Sequence, residues 1–171
     1  GGLVRGYRLD DAETVIVAMG SLLGTIKDTV DEIRAAGVKI GVLGVISFRP
    51  FPLAEVRAAL KGAKRVVVVE KTFAVGIGGI LATDIRTAMD GISILDYTVV
   101  AGLGGRPITK KSLHALFDKA VHDDLPALTF LDLDWNIVNK QLERERQKRR
   151  SGPVAENILR DVGSSHVAQH S

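Results

Sequence analysis

The side chains best suited to chemistry are two arginines set beside glycine- or proline-rich turns. Arg49 lies within Phe48-Arg-Pro-Phe-Pro52, and Arg106 follows Gly102-Leu-Gly-Gly105. At a strand end, a fixed guanidinium can clamp a carboxylate or phosphate through two parallel hydrogen bonds. The same placement also suits an ion pair across a domain or subunit interface. Three glycine-bearing loops follow expected strands: Gly20-Ser21, Gly76-Ile-Gly-Gly79 and Gly102 to Gly105. A helix starting directly after such a loop offers free amides to an anion. Ser21, Gly76, Gly78, Gly79, Gly102, Gly104 and Gly105 therefore join Arg49 and Arg106 as interface or anion-binding candidates. The plainer reading of the glycines is tight turns and close backbone packing.

Other reactive types lack the company that chemistry needs. Gly76 to Gly79 falls short of the dinucleotide fingerprint, and no Gly-Lys-Ser/Thr phosphate loop occurs. His114 and His122 lie two helical turns apart without a surrounding carboxylate–histidine metal pattern. Glu70 and Asp84 are the acids nearest the central loops, and neither has an acid–base partner in sequence. No serine sits in a nucleophile elbow. These residues predict neither a catalytic group nor a metal ligand within this chain.

The elements that must carry the candidates follow from hydrophobic periodicity. Thr14–Met19, Lys39–Ser47 and Arg65–Val69 read as buried strands. Ile92–Leu95 and Thr98–Ala101 read as two short strands flanking Asp96-Tyr97, and Leu128–Trp135 as a last strand or extended arm. Helices are expected from Leu22 (capped by Ser21 and closed at Gly37), over Leu53–Leu60, over Ile80–Met89, and from the Thr109 cap to about His122. This alternation predicts an α/β three-layer sandwich with a mainly parallel five-stranded sheet. A charged helical extension is expected at 131–150 after a domain spanning 1–130, with a disordered tail at 151–171.

Composition agrees with a single α/β domain. Apolar residues make up 46% and aromatics 5% of the 171 residues, so the core must be aliphatic. No apolar run is long enough to span a bilayer, and no basic-then-apolar leader is visible, which predicts a soluble, cytoplasmic chain. The first residues, Gly1-Gly2, suggest a fragment or processed chain. With no cysteine, the chain has no thiolate for an iron–sulfur cluster, a zinc site or a disulfide. The net charge of +3 is a local matter: residues 1–139 hold 16 basic and 16 acidic side chains, while 140–150 carry six basic and two acidic ones. Such a distribution argues against a nucleic-acid-binding face. The basic helix reads as a solvated surface, with a phosphate or acidic-protein contact as the alternative.

Taken in order, several segments form a recognisable series. They are Ala18-Met-Gly-Ser21, Gly24-Thr25, Val30-Asp31-Glu-Ile-Arg34, Gly37-Val-Lys-Ile-Gly41, Phe48-Arg-Pro-Phe-Pro52, Val66-Val-Val-Val-Glu-Lys71, Gly76 to Gly79, and Ala101-Gly-Leu-Gly-Gly-Arg106. Over residues 5–122 the chain resembles domain II of the pyruvate and 2-oxoacid:ferredoxin oxidoreductases, which is similar to the transketolase C-terminal domain. The resemblance implies an assembly that decarboxylates a 2-oxoacid on thiamine diphosphate with Mg²⁺. It further implies electron transfer through iron–sulfur clusters to ferredoxin and release of an acyl-CoA. The family's diphosphate–Mg²⁺ motif and cluster cysteines are absent here. The chain is thus expected to bind none of these cofactors, to be inactive alone, and to dock on other domains or subunits. The other reading is an independent small-molecule or nucleotide-binding module using the Gly76–Gly79 and Gly102–Gly105 loops.

Overall fold

A computed structural model describes residues 2–149 of the chain, in two compact units, one ending at Asp132 and the next starting at Leu133. The expected tail at 151–171 lies outside the described residues. The first unit is a three-layer α/β sandwich. Its strands are β1 (Val4–Tyr7), β2 (Thr14–Met19), β3 (Ile40–Val45), β4 (Arg65–Glu70), β5 (Leu95–Val100) and β6 (Leu128–Phe130). The helices between them are α1 (Leu22–Ala35), α2 (Leu53–Leu60), α3 (Ile80–Ala88) and α4 (Lys110–Val121). The second unit contains α5 (Trp135–Arg149), the charged helix expected from the sequence.

The sheet has six strands in the order β1-β3-β2-β4-β5-β6, one more than expected. Only β1 runs antiparallel, pairing Val4 with Val45 and Tyr7 with Val42 on β3. Half-exposed and four residues long, it has too weak a periodicity to be read from sequence. A second correction concerns Asp96-Tyr97, which does not separate two strands but lies inside β5. Arg86 donates to the Asp96 carboxylate at 2.6 Å, and the Tyr97 ring is buried, so the polar pair is accommodated within the strand.

Burial on both faces explains the valine- and isoleucine-rich central strands. Ile16, Ala18, Val67 and Val69 point to the layer of α1 and α4, meeting Ile26, Val30, Leu113 and Phe117. Val15, Val17, Val66 and Val68 point to the layer of α2 and α3, meeting Val56, Leu60, Leu81 and Ile85. Gly41, inside β3, is small for a reason of space, because an added Cβ would lie 2.5 Å from the main-chain oxygen of Arg8.

Helix ends follow local chemistry in most places. Thr109 caps α4, its Oγ1 accepting from the Ser112 amide at 3.1 Å. Gly37 takes a left-handed φ of 87° and donates its amide to the Arg34 carbonyl, closing α1. Ser21 differs from expectation: it occupies the N-cap position of α1 in a helical conformation and makes no side-chain capping bond.

At the amino end of the sheet, Arg65 grips Asp123 with two parallel bonds of 2.5 and 2.6 Å, and the Tyr97 hydroxyl donates to the same carboxylate at 3.2 Å. The clamp ties the starts of β4 and β5 to the turn that ends α4. Hydrogen bonding from Arg65 is the largest cause holding the Asp123 carboxyl below its ordinary value of 3.8. A depressed carboxyl stabilises the fold above its unfolded pKa and loses that contribution as pH falls through the folded pKa. Asp123→Asn should therefore lower the melting temperature at pH 6, with the gap from wild type closing as pH drops below 3.8. Thermal melts of both proteins from pH 6 to pH 2 check this; a gap independent of pH would assign the clamp no electrostatic role.

Candidate functional site

All βα loops of the parallel strands open at one end of the sheet, where doubly wound folds collect ligands and contacts. Each candidate residue from the sequence lies there. The loop after β4 is built first by glycine. Ala74 and Gly78 exchange two main-chain bonds of 2.8 Å each, closing a tight turn that Gly76 and Gly78 enter with φ of 86° and 90°. No β-carbon tolerates that region readily. The turn displays Val75 and Ile77, which are 94% and 68% exposed.

Immediately after the turn, α3 begins, and its first amides do not await a ligand. The buried Glu70 carboxylate, at the end of β4, accepts from the Leu81 amide through Oε2 and from the Ala82 amide through Oε1, both at 3.0 Å. A helix N-terminus carries partial positive charge and unpaired donors, so a carboxylate there satisfies both needs. Gly79 makes room for this contact, because an added Cβ would overlap the Glu70 carboxylate. Its own φ and ψ, −71° and 132°, suit any residue, so the requirement is spatial. The anion expected at this loop is thus supplied by the protein itself.

The loop after β5 is a short 3₁₀ turn, Leu103–Gly105, with Gly102, Gly104 and Gly105 all at positive φ. Arg106 leaves it exposed and donates Nη1 to the Asp132 carbonyl at 2.6 Å; Asp132 also accepts from Ser112 at 3.0 Å. Arg49 similarly finds partners inside the unit. Its Nη1 donates to Asp84 of α3 at 2.8 Å and to the Phe48 carbonyl at 2.7 Å, and its guanidinium lies over the Phe48 ring with Cζ 4.0 Å from the centroid. The Arg49–Pro50 peptide bond is cis. Both arginines are therefore held in place rather than projecting freely, and the bonds recorded for each use one nitrogen of the fork. Ser21 is exposed beside the start of α1.

Two features of this end had little sequence signal. One is the Glu70 contact, which joins residues 11 and 12 positions apart across the loop. The other is apolar exposure: Leu3, Ile46, Leu53, Val75, Ile77 and Leu103 all lie at the carboxyl end of the parallel strands, whereas only Leu95 and Leu128 among the exposed large apolar residues of the unit lie at the other. Among the described residues no group of three or more His, Asp or Glu side chains is placed to hold a metal ion.

Comparison with known proteins agrees with this fold. The family model for pyruvate:ferredoxin oxidoreductase core domain II matches residues 12–113. The chain belongs to that family. Pyruvate synthase subunit PorA of Methanosarcina barkeri is 45% identical over 124 residues, covering 70% of this chain and 30% of the relative. Ketoisovalerate oxidoreductase subunit VorA of Pyrococcus furiosus is 40% identical over 115 residues, covering 66% and 29%. This domain II chain thus spans about a third or less of the relatives it matches. In fold it resembles a 2-oxoglutarate:ferredoxin oxidoreductase from Magnetococcus marinus, with a TM-score of 0.57 at 24% identity, covering 69% of this chain and 19% of that one. It also resembles a split-gene transketolase, an inactive β4 tetramer, with a TM-score of 0.52 at 18% identity, covering 69% and 41%.

Removing the Glu70 carboxylate should leave two buried amides without acceptors, at a cost of about 3 kcal/mol for Glu70→Ala. Gly79→Ala should also destabilise, and its cost should shrink by about 1 kcal/mol or more in the Glu70→Ala background, where the main clash is gone. A double-mutant cycle by urea denaturation measures this coupling, and additive effects would contradict the spatial role given to Gly79.

Proposed function

We propose that this chain serves as a non-catalytic docking domain in the α subunit of a 2-oxoacid:ferredoxin oxidoreductase, pyruvate being the favoured substrate of the whole. In that reading the assembly decarboxylates the 2-oxoacid on thiamine diphosphate, sends two electrons through iron–sulfur clusters to ferredoxin, and transfers the acyl group to CoA. The residues here offer no cysteine to ligate an iron–sulfur cluster, and the α3 amides that could meet a diphosphate already serve Glu70. No step of the reaction is therefore assigned to this chain. Its partners are the other domains and subunits, and the setting proposed is cytoplasmic.

The observation that carries the docking role is the concentration of exposed apolar side chains at the carboxyl end, with the turn bearing Val75 and Ile77 at its most exposed point. Exposed apolar patches of this kind mark interaction sites. Arg49 and Arg106 flank that end as fixed guanidiniums with capacity left on their forks, suited to partner carboxylates. Membership of the family and partial coverage of its subunits support the same role. The other reading of the glycine loops, a nucleotide-binding module, has less support because Glu70 already fills the α3 amides where a phosphate would sit.

The test is co-expression of the chain with the remaining domains and subunits. Val75→Asp with Ile77→Asp should reduce co-purification at least tenfold, while the melting temperature of the chain alone moves by only about 3 °C or less. Arg49→Ala and Arg106→Ala should weaken association by about 2–5 kcal/mol if each pairs with a partner carboxylate. Each should change the chain's own stability by about 0.5–1 kcal/mol, Arg49 through an exposed ion pair and Arg106 through an exposed hydrogen bond to a main-chain carbonyl. Unimpaired assembly of the double aspartate variant would refute the docking surface.

A further inference from the structure

The strand order places a switch point between β2 and β4: the chain leaves β2 towards β3 on one side, then crosses to β4 on the other. Sheets of this type open a crevice at the carboxyl ends of the two strands flanking such a point. Here the crevice exists as a cavity of about 300 Å³, lined by Met19 at the end of β2 and by Val69, Glu70 and Lys71 at and beyond the end of β4. Its size is at the lower end of small-molecule sites. The coincidence of cavity and switch point is independent of the glycine loops.

The chemistry of the walls narrows the ligand. Leu22, Phe48 and Ile80 join Met19 to make most of the lining apolar, so the body of a ligand must be aliphatic. Phe48 is held by Arg49 over its ring, and Arg49 in turn by Asp84, which gives that wall a fixed position. Of the two charged residues lining the cavity, Glu70 directs both carboxylate oxygens to the α3 amides. Lys71 is exposed and has no hydrogen-bond or ion-pair partner among the described residues. A single compact ammonium beside a buried carboxylate favours one negative charge on the ligand and penalises two. At roughly 30 Å³ for each water-sized group, the cavity holds on the order of ten heavy atoms.

We propose that this crevice binds a small aliphatic monocarboxylate, its alkyl body against Met19, Leu22, Phe48 and Ile80 and its carboxylate on the Lys71 ammonium. The cavity adjoins the docking surface given above, sharing the Phe48 wall that Arg49 holds, but binding to the chain alone is tested without any partner.

The experiment is an amide NMR titration of the full 171-residue chain with 4-methylpentanoate. Parallel titrations use 4-methylpentan-1-ol, which keeps the alkyl body without the charge, and inorganic phosphate, which keeps charge without the body. Saturable shifts centred on Met19, Leu22, Lys71 and Ile80 are expected for the carboxylate. Binding should weaken about tenfold or more for the alcohol, and by a similar factor for the carboxylate with Lys71→Met, given the strength of charged hydrogen bonds. Phosphate should not saturate these signals. The proposal is overturned if the carboxylate produces no saturable shift at tens of millimolar, if the alcohol binds as well, or if the shifts centre elsewhere. Equal affinity in a folded Lys71→Met chain also overturns it. Should that variant fail to fold, the alcohol comparison decides on the wild-type chain.

Discussion

The buried carboxylate of Glu70 governs what the carboxyl end of this sheet can be. It ends β4, after four consecutive buried valines, and satisfies two amides at the start of α3. A charge this buried is tolerated only when its hydrogen bonds and an opposing potential offset the loss of water. Two consequences follow. The β4–α3 loop is anchored at both ends, so its turn projects at a set position with Val75 and Ile77 outermost. The helix terminus, which in many α/β folds receives a ligand phosphate, is already occupied.

That internal anion stands where a doubly wound fold can otherwise receive a ligand's phosphate. The glycines here serve geometry: Gly76 and Gly78 permit the turn, and Gly79 leaves space for a carboxylate. The arginines follow the same pattern. Arg49 and Arg106 bind within their own unit, as do Arg34, which reaches the Ile40 carbonyl and Asp11, and Arg57, which reaches the carbonyls of Ala88 and Asp90. Beside these held arginines the carboxyl end exposes the large apolar side chains of Ile46, Leu53, Val75, Ile77 and Leu103, which suits contact with protein.

Much of the fold was legible because its signals are local. Four consecutive valines after Arg65, the helical spacing of Ile26, Val30 and Ile33, and Thr109 three residues before Ser112 each report on their own surroundings. The resemblance of Phe48-Arg-Pro-Phe-Pro52 and Ala101-Gly-Leu-Gly-Gly-Arg106 to a known family likewise needed only order and spacing. The features that escaped are those decided across space. β1 exists by pairing with β3, and its own four residues carry little pattern. Asp96 breaks a strand pattern in sequence but is accommodated by Arg86 in the fold. Ser21 has the right type and position for a cap, yet its helical conformation turns that role away. Glu70 was visible as an acid near a glycine loop, while its destination lay beyond the turn.

Hydrogen–deuterium exchange tests the central claim most directly, comparing the free chain with the chain inside a co-purified oxidoreductase assembly. The account predicts slow exchange at Leu81 and Ala82 in both states, since Glu70 holds those amides with or without partners. It also predicts new protection in the assembly at residues 46–53, 73–79 and 102–106. Rapid exchange at Leu81 and Ala82 in the free chain, or no gain of protection at these loops on assembly, would contradict it.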